Sequence, residues 1–170
     1  LLLSLSPNPF ASYEIVVWLL GSLADRSFEH VWLVLPFTAA GLALLFAAGR
    51  GLDALALGED VATSLGFTLP ALRRRVILGS ALAVGAGVSV SGIVGFIGLV
   101  VPHVLRPLVG YQPRLLLPVS ALGGALLTLA ADVSVRLLTP TGELKLGVVT
   151  ALLGTPFFLH LVIRNRTLWG

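Results

Sequence analysis

Long apolar runs separated by short polar connections are the feature that most constrains how this chain can fold. The runs are Val31 to Ala48, Val76 to Val109, Leu115 to Leu138 and Leu146 to Ile163. A helix that crosses a membrane needs about 20 mostly apolar residues, and lipid offers no water to satisfy irregular backbone. The pattern therefore predicts several helices that span a membrane.

The run from Val76 to Val109 is long enough to cross twice. Three glycines and one proline interrupt it: Gly92, Gly95, Gly98 and Pro102. Because proline removes a backbone donor and loosens a helix, we expect a helix, a turn and a second, irregular helix in this run.

The composition supports the same prediction. Charged residues make up 11% of the chain, against roughly 25% in soluble domains. The mean hydropathy is +1.00. A soluble domain of this size would leave much of its chain at the surface, so a chain this apolar does not fit a packed soluble domain. The predicted fold is all-α: one polytopic transmembrane bundle over residues 1–170, with about five spans, one short re-entrant helix and short cytoplasmic helices.

Two apolar stretches near the start are too short to cross a membrane. We interpret Leu1 to Leu5 as the end of a helix whose beginning lies upstream. The stretch from Ile15 to Leu23 is either an interfacial helix or a re-entrant helix beside a pathway, and its residues alone favour neither.

Arginine placement predicts the orientation, because cytoplasmic loops of membrane proteins carry an excess of Lys and Arg. Most basic residues fall on one side of the predicted spans: Arg50, Arg73, Arg74, Arg75, Arg106, Arg114, Arg164 and Arg166. The other side carries Arg26, Arg136 and Lys145. The first side is therefore predicted to be cytoplasmic. The same spread of arginines along the chain argues against nucleic-acid binding.

The sequence offers little for catalysis or for a cofactor. It contains no cysteine and no HExxH, GxSxG or Walker A motif. The polar residues in or at the ends of the spans are few: His103, Arg106, Thr128, Asp132, Arg136, Thr150 and His160. They form no recognisable catalytic pair, so we expect no enzyme, no metal and no cofactor in this chain. An ion-coupled secondary transporter is the alternative class, but it should carry ionisable residues near mid-membrane, whereas these charges cluster at span ends.

Two sets of polar residues have competing interpretations. Asp132 and Arg136 stand four residues apart on one helical face, either as a neutralising pair or with Arg136 reaching out to an acidic partner. His103 and His160 lie near the predicted cytoplasmic ends of their helices, which favours a structural role over ligation of haem iron.

The segment from residue 50 to residue 75 is the longest stretch polar enough to lie in water. Leu52 to Gly58 is a short amphipathic piece, and Glu59 to Gly66 predicts a two-turn helix with acids at its amino end and Gly66 as its carboxy-terminal cap. Val61 and Leu65 share one face of that helix. Such an apolar ridge flanked by charge is suited to docking into a groove on a cytoplasmic partner.

At this segment the sequence resembles the FecCD-type permeases, the membrane subunits of type II ABC importers for ferric siderophores, haem and cobalamin. The matching blocks follow one another in order along the chain: Ala56 to Gly66 (ALGEDVATSLG), Ser91 to Arg106 (SGIVGFIGLVVPHVLR), Leu116 to Pro118 (LLP), Ala130 to Arg136 (AADVSVR), Gly147 to Gly154 (GVVTALLG) and Pro156 to Phe158 (PFF).

The resemblance implies roles for individual residues. The segment that would contact a cytoplasmic ABC ATPase consists of Glu59, Asp60, Val61, Ala62, Thr63, Ser64, Leu65 and Gly66. Arg136 matches a periplasmic position that pairs with a glutamate of the substrate-binding protein. Ile15 to Leu23 matches a partial helix beside the translocation path, which favours the re-entrant interpretation. Many relatives carry proline where this chain has Lys145, a departure that leaves the outer end of the last helix open.

The resemblance also implies the context of the chain. Family members have about ten spans per subunit, so this chain corresponds to the carboxy-terminal half of a permease of the bacterial inner membrane. It is expected to work as a homodimer, with ATP used by the partner subunit rather than by this chain. The substrate cannot be read from these residues.

Overall fold

The computed structural model describes residues 20–24, 26–138 and 145–166. Within these ranges the regular elements are all helices: α1 Phe28–Ala56, α2 Glu59–Ser64, α3 Leu69–Ser91, α4 Ile97–Leu105, α5 Pro113–Leu138 and α6 Leu146–Arg166, with a 3-10 turn at Arg106–Val109. The prediction of an all-α bundle is therefore confirmed. Of the predicted helix from Ile15 to Leu23, only the last four residues are described, and they are not helical.

Three described helices, α1, α3 and α5, are long and apolar enough to cross a membrane. The stretches Ile97–Val109 and Leu146–Leu159 are apolar helices of shorter length. As predicted, the run from Val76 to Val109 contains a helix, a turn and a second, irregular helix, since α3 ends at Ser91 and α4 begins at Ile97. The helix α4 has nine residues and rises only about 14 Å, less than the hydrocarbon core of about 30 Å that the length of the run would allow it to cross. The non-helical break before α4, with Gly92 and Phe96 at positive φ, uses residues that a full span would need.

The helix α1 packs closely against α3 where small residues face each other. A Cβ added to Gly41 would lie 2.7 Å from both the Gly79 carbonyl oxygen and the Ala83 backbone nitrogen. Helices surrounded by lipid associate through such close backbone approach, because lipid provides no hydrophobic drive between them. The α1–α3 pair therefore depends on glycine at position 41.

The end of α1 differs from the predicted end of the span. The span was predicted to finish at Ala48 and the aqueous segment to begin at Arg50, but α1 continues without a break to Ala56. Gly49 and Gly51 do not interrupt the helix because both are buried against other elements, Gly49 beside Arg114 and Gly51 beside Leu72. The amphipathic piece predicted at Leu52 is thus the last turn of a long helix.

One cluster of buried apolar residues lies between the end of α5 and the start of α6. It contains Ala131, Val135 and Leu146, with Leu23, Val94 and Val149 packed against it. The irregular backbone at this end is satisfied by other elements: the Ser22 N–H donates to the Ser91 carbonyl at 2.7 Å, and the Gly147 N–H donates to the Leu20 carbonyl at 2.9 Å. Irregular backbone at membrane depth is tolerated where protein covers it in this way.

Large apolar side chains cover the outside of the long helices. More than half of each of the following side chains is exposed: Trp32, Leu33, Leu78, Val84, Leu122 and Leu126. Contiguous apolar surface of this extent is rare on a soluble monomer. It suits helices surrounded by lipid or by further helices.

Candidate functional site

The predicted cytoplasmic helix forms, and it begins at Glu59 as expected. It ends at Ser64, and Gly66 follows with a φ of +84°, in the region where glycine carries no penalty. The Gly66 N–H donates to the Thr63 carbonyl at 2.9 Å, and the Phe67 N–H donates to the Ala62 carbonyl at 3.0 Å. These two bonds make a Schellman cap, so Gly66 ends α2 as predicted.

The helix α2 has one buried side and one apolar exposed side. Ala62 is fully buried, whereas Val61 is 40% exposed and Leu65 is 63% exposed. Leu57, in the link that precedes α2, is 72% exposed. A short helix anchored on one side and apolar on the other presents the ridge that the sequence predicted, and Leu57 adds an apolar side chain that the sequence reasoning left out.

Polar contacts hold α2 in place at its start. The Arg73 guanidinium lies 2.8 Å from the Glu59 carboxylate and joins α2 to α3, although both side chains are more than half exposed. An exposed ion pair of this kind contributes about 0–1 kcal/mol, so it orients α2 more than it stabilises it. The Thr63 and Ser64 hydroxyls donate to the Asp60 carbonyl at 2.9 and 2.8 Å, which keeps these polar groups within the helix.

A second polar contact close to α2 was missed by the sequence reasoning. Asp53 Oδ1 accepts a 2.8 Å hydrogen bond from the backbone N–H of Arg114, the second residue of α5. A carboxylate is favourable at a helix amino terminus because it satisfies a free N–H and complements the helix dipole. The partners stand 61 residues apart, so no local pattern could have indicated the contact.

At the opposite end of α5, Arg136 and Asp132 form the predicted pair. Arg136 Nε lies 2.8 Å from Asp132 Oδ2, with the arginine side chain 61% exposed and the aspartate 16% exposed. The structure therefore contains the neutralising pair that the first interpretation describes. The contact uses one of the five N–H donors of the guanidinium, so it is compatible with a further acidic partner.

The remaining candidates have structural surroundings. The His103 ring stands edge-on to Phe157 of α6, with ring centroids 6.0 Å apart, which agrees with a packing role. Among the described residues, no group of three or more His, Cys, Asp or Glu could hold a metal. Lys145 precedes α6, and its carbonyl accepts the Val148 N–H at 3.0 Å, a contact that does not involve its side chain. The side chain of His160 lies outside the described part.

An apolar groove of about 810 Å³ lies along α6 and the break before α4. Its walls include Leu20, Ile93, Phe96, Gly147, Leu152 and Leu159, and Thr155 supplies a hydroxyl. None of the described residues that line it is charged. Such a surface can face a bulky solute, another helix or lipid without binding ions.

Three described helices are long enough to span a membrane and have wide apolar outer faces, and one short polar helix, α2, connects two of them. These features are those of a multi-pass membrane protein. The chain belongs to the FecCD transport family, whose model matches residues 1–164. The predicted resemblance is therefore confirmed, as is localisation in the inner membrane.

Curated relatives show the same similarity. The chain is 47% identical over 155 residues to the vitamin B12 import system permease protein BtuC of Vibrio cholerae, covering 90% of this chain and 46% of that protein. It is 43% identical to the Fe(3+) dicitrate transport system permease protein FecD of Escherichia coli, covering 89% and 48%. It is 42% identical to the hemin transport system permease protein HmuU of Yersinia pestis, covering 88% and 45%. The chain thus spans about half the length of these relatives.

A solved structure agrees with the fold. An inward-facing ABC transporter of metal-chelate type superposes with a TM-score of 0.86 at 34% identity, covering 96% of this chain and 53% of that one. The arrangement of helices described above is therefore an arrangement found in ABC permeases.

Proposed function

We propose that the chain is the carboxy-terminal half of the permease subunit of an ATP-driven importer. The substrates named for its relatives are vitamin B12, ferric dicitrate and hemin, so the proposed substrate class is a bulky cobalamin, ferric-siderophore or haem-type solute. The single observation that carries the proposal is the family match over residues 1–164. The exposed apolar ridge of α2 supports it.

In this proposal α2 docks into a groove on a cytoplasmic ABC ATPase. Full burial of a Val or Leu side chain contributes about 1.5–3 kcal/mol, and Val61 and Leu65 have much of this area still exposed. Ala62 is already buried, so α2 can transmit a push rather than pivot freely. ATP hydrolysis takes place in the partner subunit, and this chain contributes no catalytic group.

The opposite surface receives the substrate-binding protein. Arg136 stands at the end of α5, its guanidinium already oriented by Asp132 and well exposed. A carboxylate of the binding protein would pair with the remaining donors, as the family resemblance implies. Charged docking of this kind is expected to weaken as salt increases.

The proposed transporter contains a second permease copy. An apolar groove such as the one along α6 suits the wall between two copies or the wall of a path for a bulky solute. An ion-coupled secondary transporter is not favoured, because among the described helices the ion pairs lie at helix ends rather than within the spans.

The test is association with the ATPase after both ridge residues are replaced. We expect V61D/L65D to abolish co-purification of the ATPase, because two carboxylates would have to enter an apolar groove. The matched control is L108D, since Leu108 is an exposed leucine at the same cytoplasmic end of the bundle but outside α2. Unchanged co-purification by a V61D/L65D protein that still accumulates in membranes would contradict the coupling role of α2.

The substrate class has its own test. The binding protein is titrated with cobalamin, a ferric siderophore and haem, and quenching of its fluorescence is measured. We expect one of the three to bind in preference to the others. Binding of none of them would remove the substrate class from the proposal without affecting the coupling helix.

A further inference from the structure

The cytoplasmic ends of α1 and α5 are joined by a contact that the family comparison does not assign. Asp53 Oδ1 accepts the Arg114 N–H at 2.8 Å. One turn earlier on α1, Gly49 lies directly against the same residue, and a Cβ added to Gly49 would be 3.4 Å from the Arg114 Cβ. The last turns of α1 therefore hold the first turn of α5 through a hydrogen bond and through close packing.

The first turn of α5 needs this support more than an ordinary helix start does. Pro118 lies inside α5 and has no N–H, so the Arg114 carbonyl loses the donor that it would have four residues further on. The first N–H groups of any helix also lack partners within the helix. Asp53, which lies on α1, accepts one of these free N–H groups and so helps to hold the first turn of α5 in place.

The turn of α1 that carries Asp53 leads directly into the coupling helix. Only Leu57 and Gly58 separate α1 from α2, and Gly58 is bonded on both sides: its N–H donates to the Leu55 carbonyl, and its carbonyl accepts the Ala62 N–H, both at 3.0 Å. Ala54 and Ala62 are both buried. A displacement of α2 is therefore passed to the Asp53 turn rather than absorbed in a loop.

The helix α5 connects this contact to the opposite surface. From Arg114 to Arg136 it runs about 33 Å at about 1.5 Å per residue. We propose that Asp53 is a positioning residue that fastens α5 to the coupling segment, so that movement of α2 is transmitted along α5 to the Arg136 surface. This inference rests on the proposed function, because it requires an ATPase at α2 and a binding protein at Arg136.

The experiment measures how strongly the binding protein stimulates ATP hydrolysis. The full-length protein is purified from membranes with the subunits bound to it, placed in lipid nanodiscs, and assayed with and without binding protein. We expect D53A to keep its basal ATPase activity but to lose roughly fivefold or more of the stimulation, the size of an ordinary coupling between two sites. D53N is the matched control, because its amide oxygen can still accept the Arg114 N–H.

A disulfide provides an independent readout. These 170 residues contain no cysteine, and any cysteine in the rest of the full-length protein is first replaced by serine. The separation of the Gly49 and Arg114 Cβ positions is close to that in disulfides. In D53A/G49C/R114C, the oxidised protein should recover the stimulation, and reduction should remove it again. Should D53A alone fail to accumulate, the same comparison is made on the triple variant, purified oxidised and then reduced.

The outcomes separate the inference from the function on which it rests. Loss of stimulation in D53A with recovery in D53N and in the oxidised triple variant supports it. Unchanged stimulation in D53A overturns it, as does an equal fall of basal and stimulated activity, which would indicate a purely structural cap. A parent protein that co-purifies with no ATPase would overturn the proposed function itself, and that result is seen before any variant is made.

Discussion

Replacing Gly66 with alanine should loosen α2, the helix proposed to couple to the ATPase, by an amount that the structure allows us to estimate. Gly66 has a φ of +84°, and a Cβ placed there meets nothing within 4 Å. The penalty is therefore confined to the backbone, at roughly 1–2 kcal/mol for an L-residue in the left-handed region. Alanine also lowers the entropy of the unfolded segment, which offsets roughly 0.4–1 kcal/mol of that penalty. The net cost is about 1 kcal/mol, or roughly a fivefold shift toward the frayed helix.

Amide hydrogen exchange measures this shift where it occurs. The reporting amides are those of Leu65, Gly66 and Phe67, which donate to the carbonyls of Val61, Thr63 and Ala62. We expect G66A to lower their protection roughly fivefold while the amides of α3 keep theirs. The affinity of the permease for its ATPase should fall by the same factor or less, since docking selects the folded helix.

The control for this prediction is G66N. Asparagine tolerates positive φ far better than alanine, because its side chain bonds locally to the backbone, so G66N should retain most of the protection. Equal losses in G66A and G66N would contradict the argument from φ, and unchanged protection in G66A would show that the Schellman cap does not limit the stability of α2.

Two further predictions concern the ends and the middle of the bundle. G41V should lower accumulation in membranes and the thermal midpoint of the purified protein, because its Cβ would lie 2.7 Å from backbone atoms of α3. G85A should be tolerated, since a Cβ there meets nothing within 4 Å. Equal stability of the two variants would contradict the close packing of α1 on α3. R136A should weaken association with the binding protein by roughly tenfold at low salt, as expected for a charge-assisted contact. D132A should weaken it less; both affinities are measured as binding of the binding protein to permease in nanodiscs. An R136A protein with parental affinity at low salt would remove Arg136 from the docking surface.

The helices could be predicted from the sequence where residues close together along the chain determine them. The runs that became α1, α3, α5 and α6 are apolar over enough residues to need no tertiary information, and Gly66 ends α2 through bonds to residues at most five positions away. The end of α1 could not be predicted, because Gly49 and Gly51 pack against Arg114 and Leu72, which are distant in sequence. The break before α4 was expected from Gly92, Gly95 and Gly98, but the residues at which α4 begins and ends could not be predicted, since a glycine-rich apolar run fits an irregular link as well as a helix.

In the candidate site, too, some features depend on neighbouring residues in the sequence and others depend on the packing of distant helices. Helix termini have chemical signatures that can be read in sequence: acids at the start of α2, a glycine after its end, an arginine one turn after an aspartate at the end of α5. The two surfaces proposed to meet partners are both helix termini, so their residues could be picked out in the sequence, while the partners proposed for them come from the family resemblance. The Asp53–Arg114 contact lies between two helices and depends on their packing, so only the structure reveals it. A chain that transmits movement between its two faces must contain contacts of this second kind, and these are the ones for which mutagenesis should be guided by the structure.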